Sequence, residues 1–339
     1  MVPPGALTVV GGPADLLLAG FLSSTETRSG QSIAAELGCS RTAVWKQVGA
    51  LRALGVGIDA VPGQGYRLRE ALELLDRERI LAAMGASRAA LGNVRVLATC
   101  DSTNDVVRKL GRDEAHGAAV LAERQTAGRG RHGRRWHSPF ARNLYLSLGW
   151  VLERGVAELG GLPLVVALAA TRAIRGAGLR AQGVKWPNDL VVDGRKLGGC
   201  LVEIQGDANG PCRAVMGIGI NVHMPADSQA RELIDQPWTD LGSALGTVSR
   251  NALAAAVLAE LLQSMQRFEA HGFGVFRPAW RRADALWGRR VSVQQGGARL
   301  RGVARGVSER GGLWLDVDGR RQEVLAGEAS LLRAGRGGG

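Results

Sequence analysis

From residue 14 to residue 68 apolar positions first recur every three or four residues and then alternate. A run over Asp15–Leu22 predicts a first helix. A second opens at Ser29–Gly30 and carries Ile33, Ala34 and Leu37 before Gly38 breaks it. Ser40 is suited to cap a third helix, because its hydroxyl accepts from the free amides of the first turn. In that helix Val44, Val48, Leu51 and Leu54 fall on one face. Gly55 ends it, being free to take positive φ. Val56 to Leu68, interrupted by Pro62-Gly63-Gln64-Gly65, then predicts a hairpin.

The other face of the third helix holds Arg41, Thr42, Trp45, Lys46 and Arg52. A short helix, a tight turn and a second helix with a polar, basic outer face match a helix-turn-helix. The hairpin is then its wing, with Arg67 in reach of phosphate. Arg41, Thr42, Trp45, Lys46 and Arg67 are the candidate DNA contacts. Charge does not argue for DNA here: residues 1–70 hold six Arg or Lys against five Asp or Glu, a net of +1. Spacing and wing carry the reading against a helical interaction module that never meets DNA.

Beyond the hairpin a helical connector is expected around Ala71 to Met84. Strands are predicted at Val94–Ala98, Ala118–Ala122, Leu144–Gly149, Gly183–Trp186, Leu190–Val192, Gly199–Ile204 and Ala214–Ile220. Helices are predicted at Asn104–Leu110, Leu162–Ala177 and Asn251–Ala270. Many strands with few intervening helices predict a mixed or antiparallel sheet covered by helices, an α+β chain, rather than a regular βαβ array.

Composition narrows this little. The chain has 339 residues, 45% hydrophobic and 22% charged, enough for two or three domains with buried cores. Its formal charge of +12 is carried almost wholly by arginine, which reads as a compositional habit. The only lysines are Lys46, Lys109, Lys185 and Lys196, so a lysine marks a place that requires an amine. Cys39, Cys100, Cys200 and Cys212 lie far apart with no CxxC pair, which predicts reduced, buried thiols. No basic segment leads into a long apolar one at the N-terminus, so no signal peptide is expected. Leu159 to Ala173 is too short to span a bilayer and reads as a core helix starting near Pro163. A cytoplasmic protein without membrane contact is expected.

Three segments carry candidate chemistry. In Gln125-Thr-Ala-Gly-Arg-Gly-Arg-His-Gly-Arg-Arg-Trp136 glycines alternate with arginines, and no acid stands between Glu123 and Glu153. Glycines let backbone approach an anion, while Arg129, Arg131 and Arg134 can fork onto phosphate or carboxylate. A loop that orders around an anion is the reading, against a flexible basic tract. In Val184-Lys-Trp-Pro-Asn-Asp-Leu190, Lys185 interrupts an apolar run, and Lys196-Leu-Gly-Gly199 follows a further turn. Such a lysine either snorkels outward or is held for an anion. Met216-Gly-Ile-Gly-Ile-Asn-Val222 fits a strand passing under a ligand, with Asn221 as a polar handle at its end. Upstream, Asp101 or Ser102 could cap the next helix.

In their order along the chain these segments resemble the biotin–protein ligases, in the two-function form that also represses a biotin operon. The resemblance rests on Ser102-Thr-Asn104, Gln125, Gly128-Arg-Gly-Arg-His-Gly-Arg134 with Trp136, Lys185-Trp-Pro-Asn-Asp189, Lys196-Leu-Gly-Gly199, Gly217-Ile-Gly-Ile-Asn221 and Ala326-Gly-Glu-Ala-Ser-Leu331. Val61-Pro-Gly-Gln-Gly-Tyr66 in the wing adds to it. It implies a catalytic fold related to class II aminoacyl-tRNA synthetases and lipoate ligases, and a small C-terminal SH3-like β-barrel. Arg290 to Leu332, with short alternating stretches and turns at Gly296-Gly297, Gly311-Gly312 and Asp318-Gly319, suits that barrel. The expected units are a winged helix-turn-helix over 1–75, a catalytic domain over 76–285 and the barrel over 286–333.

By the same resemblance Ser102, Thr103, Asn104, Gln125, Arg129, Gly130, Arg131, Trp136, Lys185 and Gly199 would contact biotin or its adenylate, with Lys185, Arg129 and Arg131 serving catalysis. Trp136 would cover the nucleotide once the loop closes. Arg134, Lys196, Asn221, Gly327 and Glu328 would lie near ATP, and Asn221 near its Mg²⁺. His132 is given no role. The implied reaction activates biotin with ATP as biotinyl-5′-AMP and transfers it to a lysine of biotin carboxyl carrier protein, a subunit of acetyl-CoA carboxylase. The implied regulation is a homodimer that binds operator DNA when adenylate-bound. Rival readings are a lipoate ligase, a ligand-sensing DNA-binding regulator without ligase activity, and a ligase whose front domain has lost its operator. Trp45 keeps the last open, since a bulky indole on the exposed face can spoil a groove contact.

Overall fold

The computed structural model describes residues 25–225, 234–295 and 297–332; the expected helix at Asp15–Leu22 lies outside them. The front unit contains α1 (Gly30–Glu36) and α2 (Arg41–Ala53), followed by the hairpin β1 (Ile58–Val61) and β2 (Gly65–Leu68). Ser29 and Ser40 cap the two helices, each hydroxyl accepting from a first-turn amide, Ser32 N at 3.0 Å and Ala43 N at 3.1 Å. Ile33, Val44, Val48 and Leu51 pack with Ile58 and Leu68 of the wing. Gly65 lies so close to the chain before α1 that a Cβ there would sit 2.0 Å from Arg28 O. Arg52 is exposed, as expected of the outer face, and its guanidinium donates to Ile58 O at 2.8 and 3.0 Å, which ties α2 to the wing.

The connector also differs from expectation. Only α3 (Arg77–Met84), capped by Asp76, is helical, and residues 71–76 form no regular element. Side chains at the start of the long helix Arg250–His271 claim that backbone: Asn251 Nδ2 donates to Leu74 O, Asn251 Oδ1 accepts from Asp76 N, and Arg250 Nη1 donates to Glu73 O. Carbonyls and amides used this way are lost to a helix ladder.

The central unit is a seven-stranded sheet in the order β3-β4-β5-β9-β8-β7-β6. Its strands are β3 (Val94–Leu97), β4 (Ala119–Ala122), β5 (Leu144–Leu152), β6 (Gln182–Lys185), β7 (Asp189–Val192), β8 (Arg195–Gly206) and β9 (Cys212–Ile220). Only β3 and β4 are parallel. Helices α4 (Thr103–Arg108) and α5 (Arg112–Ala115) follow β3, and α6 (Leu162–Gly176) precedes β6. After β9 come α7 (Leu241–Leu245), α8 (Arg250–His271) and α9 (Arg277–Ala283). Alternation along β4 places Leu121 in the large core and Val120 and Ala122 in a separate cluster with Val107 of α4. The sheet is therefore covered on both faces, with α6 and α8 on one and α4 on the other. Strand β5 is buried along nearly its whole length, as an inner strand with two covered faces must be.

The C-terminal unit is an antiparallel sheet in the order β13-β12-β11-β10-β14. Its strands are β10 (Arg290–Gln295), β11 (Ala298–Val307), β12 (Leu313–Val317), β13 (Arg320–Val324) and β14 (Glu328–Leu331). Val291, Val293, Ala304, Leu313, Leu315 and Val324 face inward and join the core of the central unit. Buried Trp186 donates from Nε1 to Gly311 O at 3.0 Å across that junction. The front unit is docked as well, since Phe140 and Ala141 of the central unit belong to its apolar core.

One buried hub links these parts. Arg250 and Glu123 are each 1% exposed and pair at 2.7 Å. Arg250 also donates to Asn143 O, while Glu123 Oε1 accepts from Leu75 N. Full pairing makes such burial tolerable. The hub fixes the strap from the front unit, the head of α8 and the strand end from which the glycine-arginine loop departs.

Candidate active site

A cavity of about 320 Å³ opens at the β6–β9 end of the sheet, and the segments singled out by their residues converge on it. Ser102, Thr103, Asn104, Gln125, Arg129, Gly130, Arg131, Arg134, Trp136, Lys185, Lys196, Gly199, Asn221 and Glu328 all line it. Gly327 does not; its carbonyl instead accepts from Arg131 Nη1 at 3.0 Å. The proposed DNA contacts lie apart from the cavity. Arg41, Thr42, Trp45 and Lys46 are exposed on α2, Trp45 at 65%, and Arg67 is exposed on β2 with Asp59 3.8 Å away.

Ser102 occupies the N-cap position of α4, but its side chain makes no capping bond. That corrects the capping expectation. Gln125 takes the role: its Oε1 accepts from Thr103 N at 2.9 Å, and Thr103 Oγ1 lies 3.2 Å away. Buried Ser147, in the middle of β5, sets its hydroxyl 2.7 Å from Thr103 Oγ1 and 2.6 Å from Asn104 Oδ1. Asn104 Nδ2 donates to Glu203 at 2.6 Å. The Ser-Thr-Asn turn is thus fixed from two strands and the root of the loop.

The paired glycines of β9 have a physical cause. A Cβ at Gly217 would stand 2.3 Å from Asn104 Oδ1, and one at Gly219 would stand 2.6 Å from the Trp136 ring. The strand passes beneath these two side chains, where it was expected to pass beneath a ligand. Trp136 rests there with its Nε1 buried and without a partner, and Lys196 Nζ lies 5.5 Å from the ring centroid. Asn221 at the strand end donates from Nδ2 to Thr239 O at 3.0 Å.

Asp189, at the start of β7, is 8% exposed and meets both lysines of the segment. Its oxygens lie 2.7 Å from Lys196 Nζ and 3.1 Å from Lys185 Nζ. Burial alone would raise its pKa, but the two ammonium groups outweigh burial and hold the carboxyl below the usual range. The lysine in the apolar run is therefore held inside the cavity. Gly199 pairs with Asp189 across the ladder, and a Cβ there would lie 3.5 Å from its Oδ1.

The loop from Gln125 to Trp136 closes over this floor. Gly130 N donates to Arg134 O at 2.7 Å, His132 takes positive φ, and Trp136 N donates to Gly128 O at 2.8 Å. Arg134 forks onto Glu328 of the C-terminal unit at 2.6 and 2.7 Å. Burial would raise Glu328, yet Arg134 keeps its carboxyl low. Burial lowers Arg131, with Glu328 and Asp189 acting against that shift. Arg129 grips Asp105 with both terminal nitrogens, at 2.6 and 2.7 Å.

Among the described residues no cluster of His, Cys, Asp or Glu could by itself hold a metal ion. Burial pushes the thiol of cavity-lining Cys200 up, so it is no nucleophile. No helix among the described residues is long and apolar enough to cross a membrane.

Three family models match the chain in order. An HTH domain matches residues 15–67, the Biotin/lipoate A/B protein ligase family residues 96–221, and the Biotin protein ligase C terminal domain residues 287–332. The bifunctional ligase/repressor BirA of Salmonella typhimurium is 39% identical over 319 residues, covering 94% of this chain and 98% of that protein. Its Escherichia coli counterpart is 38% identical over 319 residues and covers 94% of this chain and 97% of that protein. The chain belongs to the bifunctional biotin ligase/repressors. A solved biotin protein ligase from Aquifex aeolicus in complex with biotin and ATP matches this biotin ligase at a TM-score of 0.61 and 29% identity, over 71% of this chain and 99% of that one.

Some residues that build the ligase's cavity carried no signal in its sequence. Ser147 sits unmarked in an apolar strand. Asp105 looks like an ordinary first-turn acid, favourable to any helix dipole. Glu203 is one polar position among several on β8. Asp189 was visible within its motif but without a role of its own. What each of them does is set by a partner more than ten residues distant or by the sheet register.

Proposed function

We propose that this ligase makes biotinyl-5′-AMP from biotin and ATP, and then passes biotin to a lysine of the biotin carboxyl carrier protein of acetyl-CoA carboxylase. The carrying observation is the convergence of Arg129, Arg131, Arg134, Lys185 and Lys196 on one cavity with a buried, ionised Asp189. Both substrates of the first step are anions, and such a lining suits them.

In that step a carboxylate oxygen of biotin attacks the α-phosphorus, and the bond to pyrophosphate breaks. Negative charge grows on the phosphoryl oxygens and the leaving group. Lys185, Arg129 and Arg131 offset it from fixed positions. Ser102, Thr103, Asn104, Gln125 and Gly199 form the biotin side of the cavity, and Arg134, Lys196, Asn221 and Glu328 the nucleotide side. In the second step the carrier's lysine amine attacks the acyl carbon, the bond to AMP breaks, and the amine gives up a proton. No protein nucleophile is needed. The loop over the cavity keeps water from the mixed anhydride.

Asn221 fits one position of a Mg²⁺ that arrives on the phosphates of ATP, because its Nδ2 is held by Thr239 O and its amide oxygen is left for a cation. Such a metal would offset phosphate charge. The front unit reads operator DNA through Arg41, Thr42, Trp45, Lys46 and Arg67, and bound adenylate favours a homodimer that does so. The exposed, polar outer face of α2 beside the wing supports the DNA reading.

Transfer of labelled biotin to a recombinant carrier domain, with and without ATP and Mg²⁺, tests the reaction. Transfer that requires both is expected. A folded protein that transfers nothing would sink the proposal and favour a sensor without catalysis. Sedimentation and operator binding with and without biotinyl-5′-AMP test the regulation, and no change in either would end it.

A further inference from the structure

Arg129 is not a free cation above the cavity. Its Nη1 and Nη2 are both used by the Asp105 carboxylate on α4, at 2.6 and 2.7 Å, and its Nη2 lies 3.7 Å from Glu203 Oε1 on β8. Asp105 is itself held by Arg108 one turn on, whose Nη2 donates at 2.6 Å. Glu203 is held too, since its other oxygen accepts from Asn104 Nδ2 at 2.6 Å. Two acids thus bracket one guanidinium, and each acid is anchored by a further side chain.

A guanidinium has two edges able to fork onto an anion, one between its terminal nitrogens and one that includes Nε. Asp105 takes the first. The Nη2 of Arg129 also faces Glu203 Oε1 at 3.7 Å, so the direction of the guanidinium is set from two sides where it lines the cavity. A donor whose direction is already set loses little freedom when the reaction needs it, and that is where fixed dipoles exceed mobile charges.

We propose that Asp105, seconded by Glu203, is a positioning residue that clamps Arg129 in the orientation used for adenylate formation. The proposal rests on Arg129 serving that step. Asp105 acts only through Arg129 and touches no substrate. The link to Asn104 gives the clamp a second consequence: the biotin side and the Arg129 side of the cavity share one carboxylate.

The test is a double-mutant cycle on the full chain, read by biotin-dependent exchange of pyrophosphate into ATP. Asp105→Asn keeps the size and removes the charge. It is expected to lower kcat about tenfold while KM for biotin stays within about twofold. Arg129→Ala should lower kcat at least as far, and the double variant should be no slower than Arg129→Ala alone. Glu203→Gln, which keeps an acceptor for Asn104, should give a smaller loss of the same kind. Thermal midpoints verify that each variant is folded. Wild-type kcat in Asp105→Asn, or losses that multiply in the double variant, would overturn the clamp. Full activity in Arg129→Ala would overturn the catalytic reading of Arg129, and the clamp with it.

Discussion

The most consequential residue of the cavity is an acid placed between two of its cations. Asp189 neutralises both Lys185 and Lys196 in a place where water is largely excluded. Without ligand it keeps two ammonium groups together. With an anionic ligand it competes for them and limits how tightly the ground state is held. Lys185→Ala should reduce adenylate formation by about 100-fold or more, the scale seen when one oxyanion donor is lost. Pyrophosphate exchange measures it, and a loss under tenfold would remove Lys185 from the step. Asp189 also ties stability to pH. Its folded pKa is depressed, so its contribution is whole above the ordinary aspartate value of about 3.9 and drains away as pH falls below it. Asp189→Asn should therefore flatten the acid limb of the stability curve and lower stability near neutrality. Urea unfolding followed between pH 3 and 7 reads both, and an unchanged acid limb would show that the carboxylate is not depressed.

At the scale of elements the loop from Gln125 to Trp136 governs behaviour. It is held at its stem by Asp105, at its crown by Gly327 O and Glu328, and beneath by Gly219. Arg131 is the half-buried arginine of the loop that reaches Gly327 O. Arg131→Ala removes a cation from the cavity lining and a tie to the C-terminal unit together. The variant should still form adenylate but release it at least about tenfold faster. Rapid gel filtration of the preformed complex decides this, and stable, tightly held biotinyl-5′-AMP on the variant would refute it. The loop also shows what a sequence discloses. Alternating glycine and arginine, a lysine inside an apolar run and a Gly-x-Gly strand are local signals, and each lines the cavity. Helices at Leu162–Gly176 and Arg250–His271, and strand β5, were likewise legible, because burial imposes their periods. Residues 71–76 were not. Their sequence suits a helix, and the distant Glu123, Arg250 and Asn251 bind their backbone instead. Ser147, Asp105 and Glu203 were invisible for the same reason.

Over the whole molecule, the front unit is mounted on the segment that follows the loop. Phe140 and Ala141 enter its apolar core, Arg142 pairs with Glu70, and the Arg250–Glu123 hub secures the strap between them. A loop that moved on binding adenylate would have a short route to α2, through a few packed side chains and one fully paired buried charge. Phe140→Ala separates the mount from the hub. Removing a buried phenyl ring from a core costs about 3–5 kcal/mol. The catalytic unit has its own core and the hub stays intact, so the loss falls on docking of the front unit. Calorimetry should then resolve an earlier transition for that unit, and operator affinity should drop, while biotin transfer to the carrier stays within about threefold. A single transition with wild-type operator affinity would mean that Phe140 merely fills space. A matching loss of transfer would mean that docking and catalysis are one cooperative unit, with the front unit serving the ligase as well as the operator.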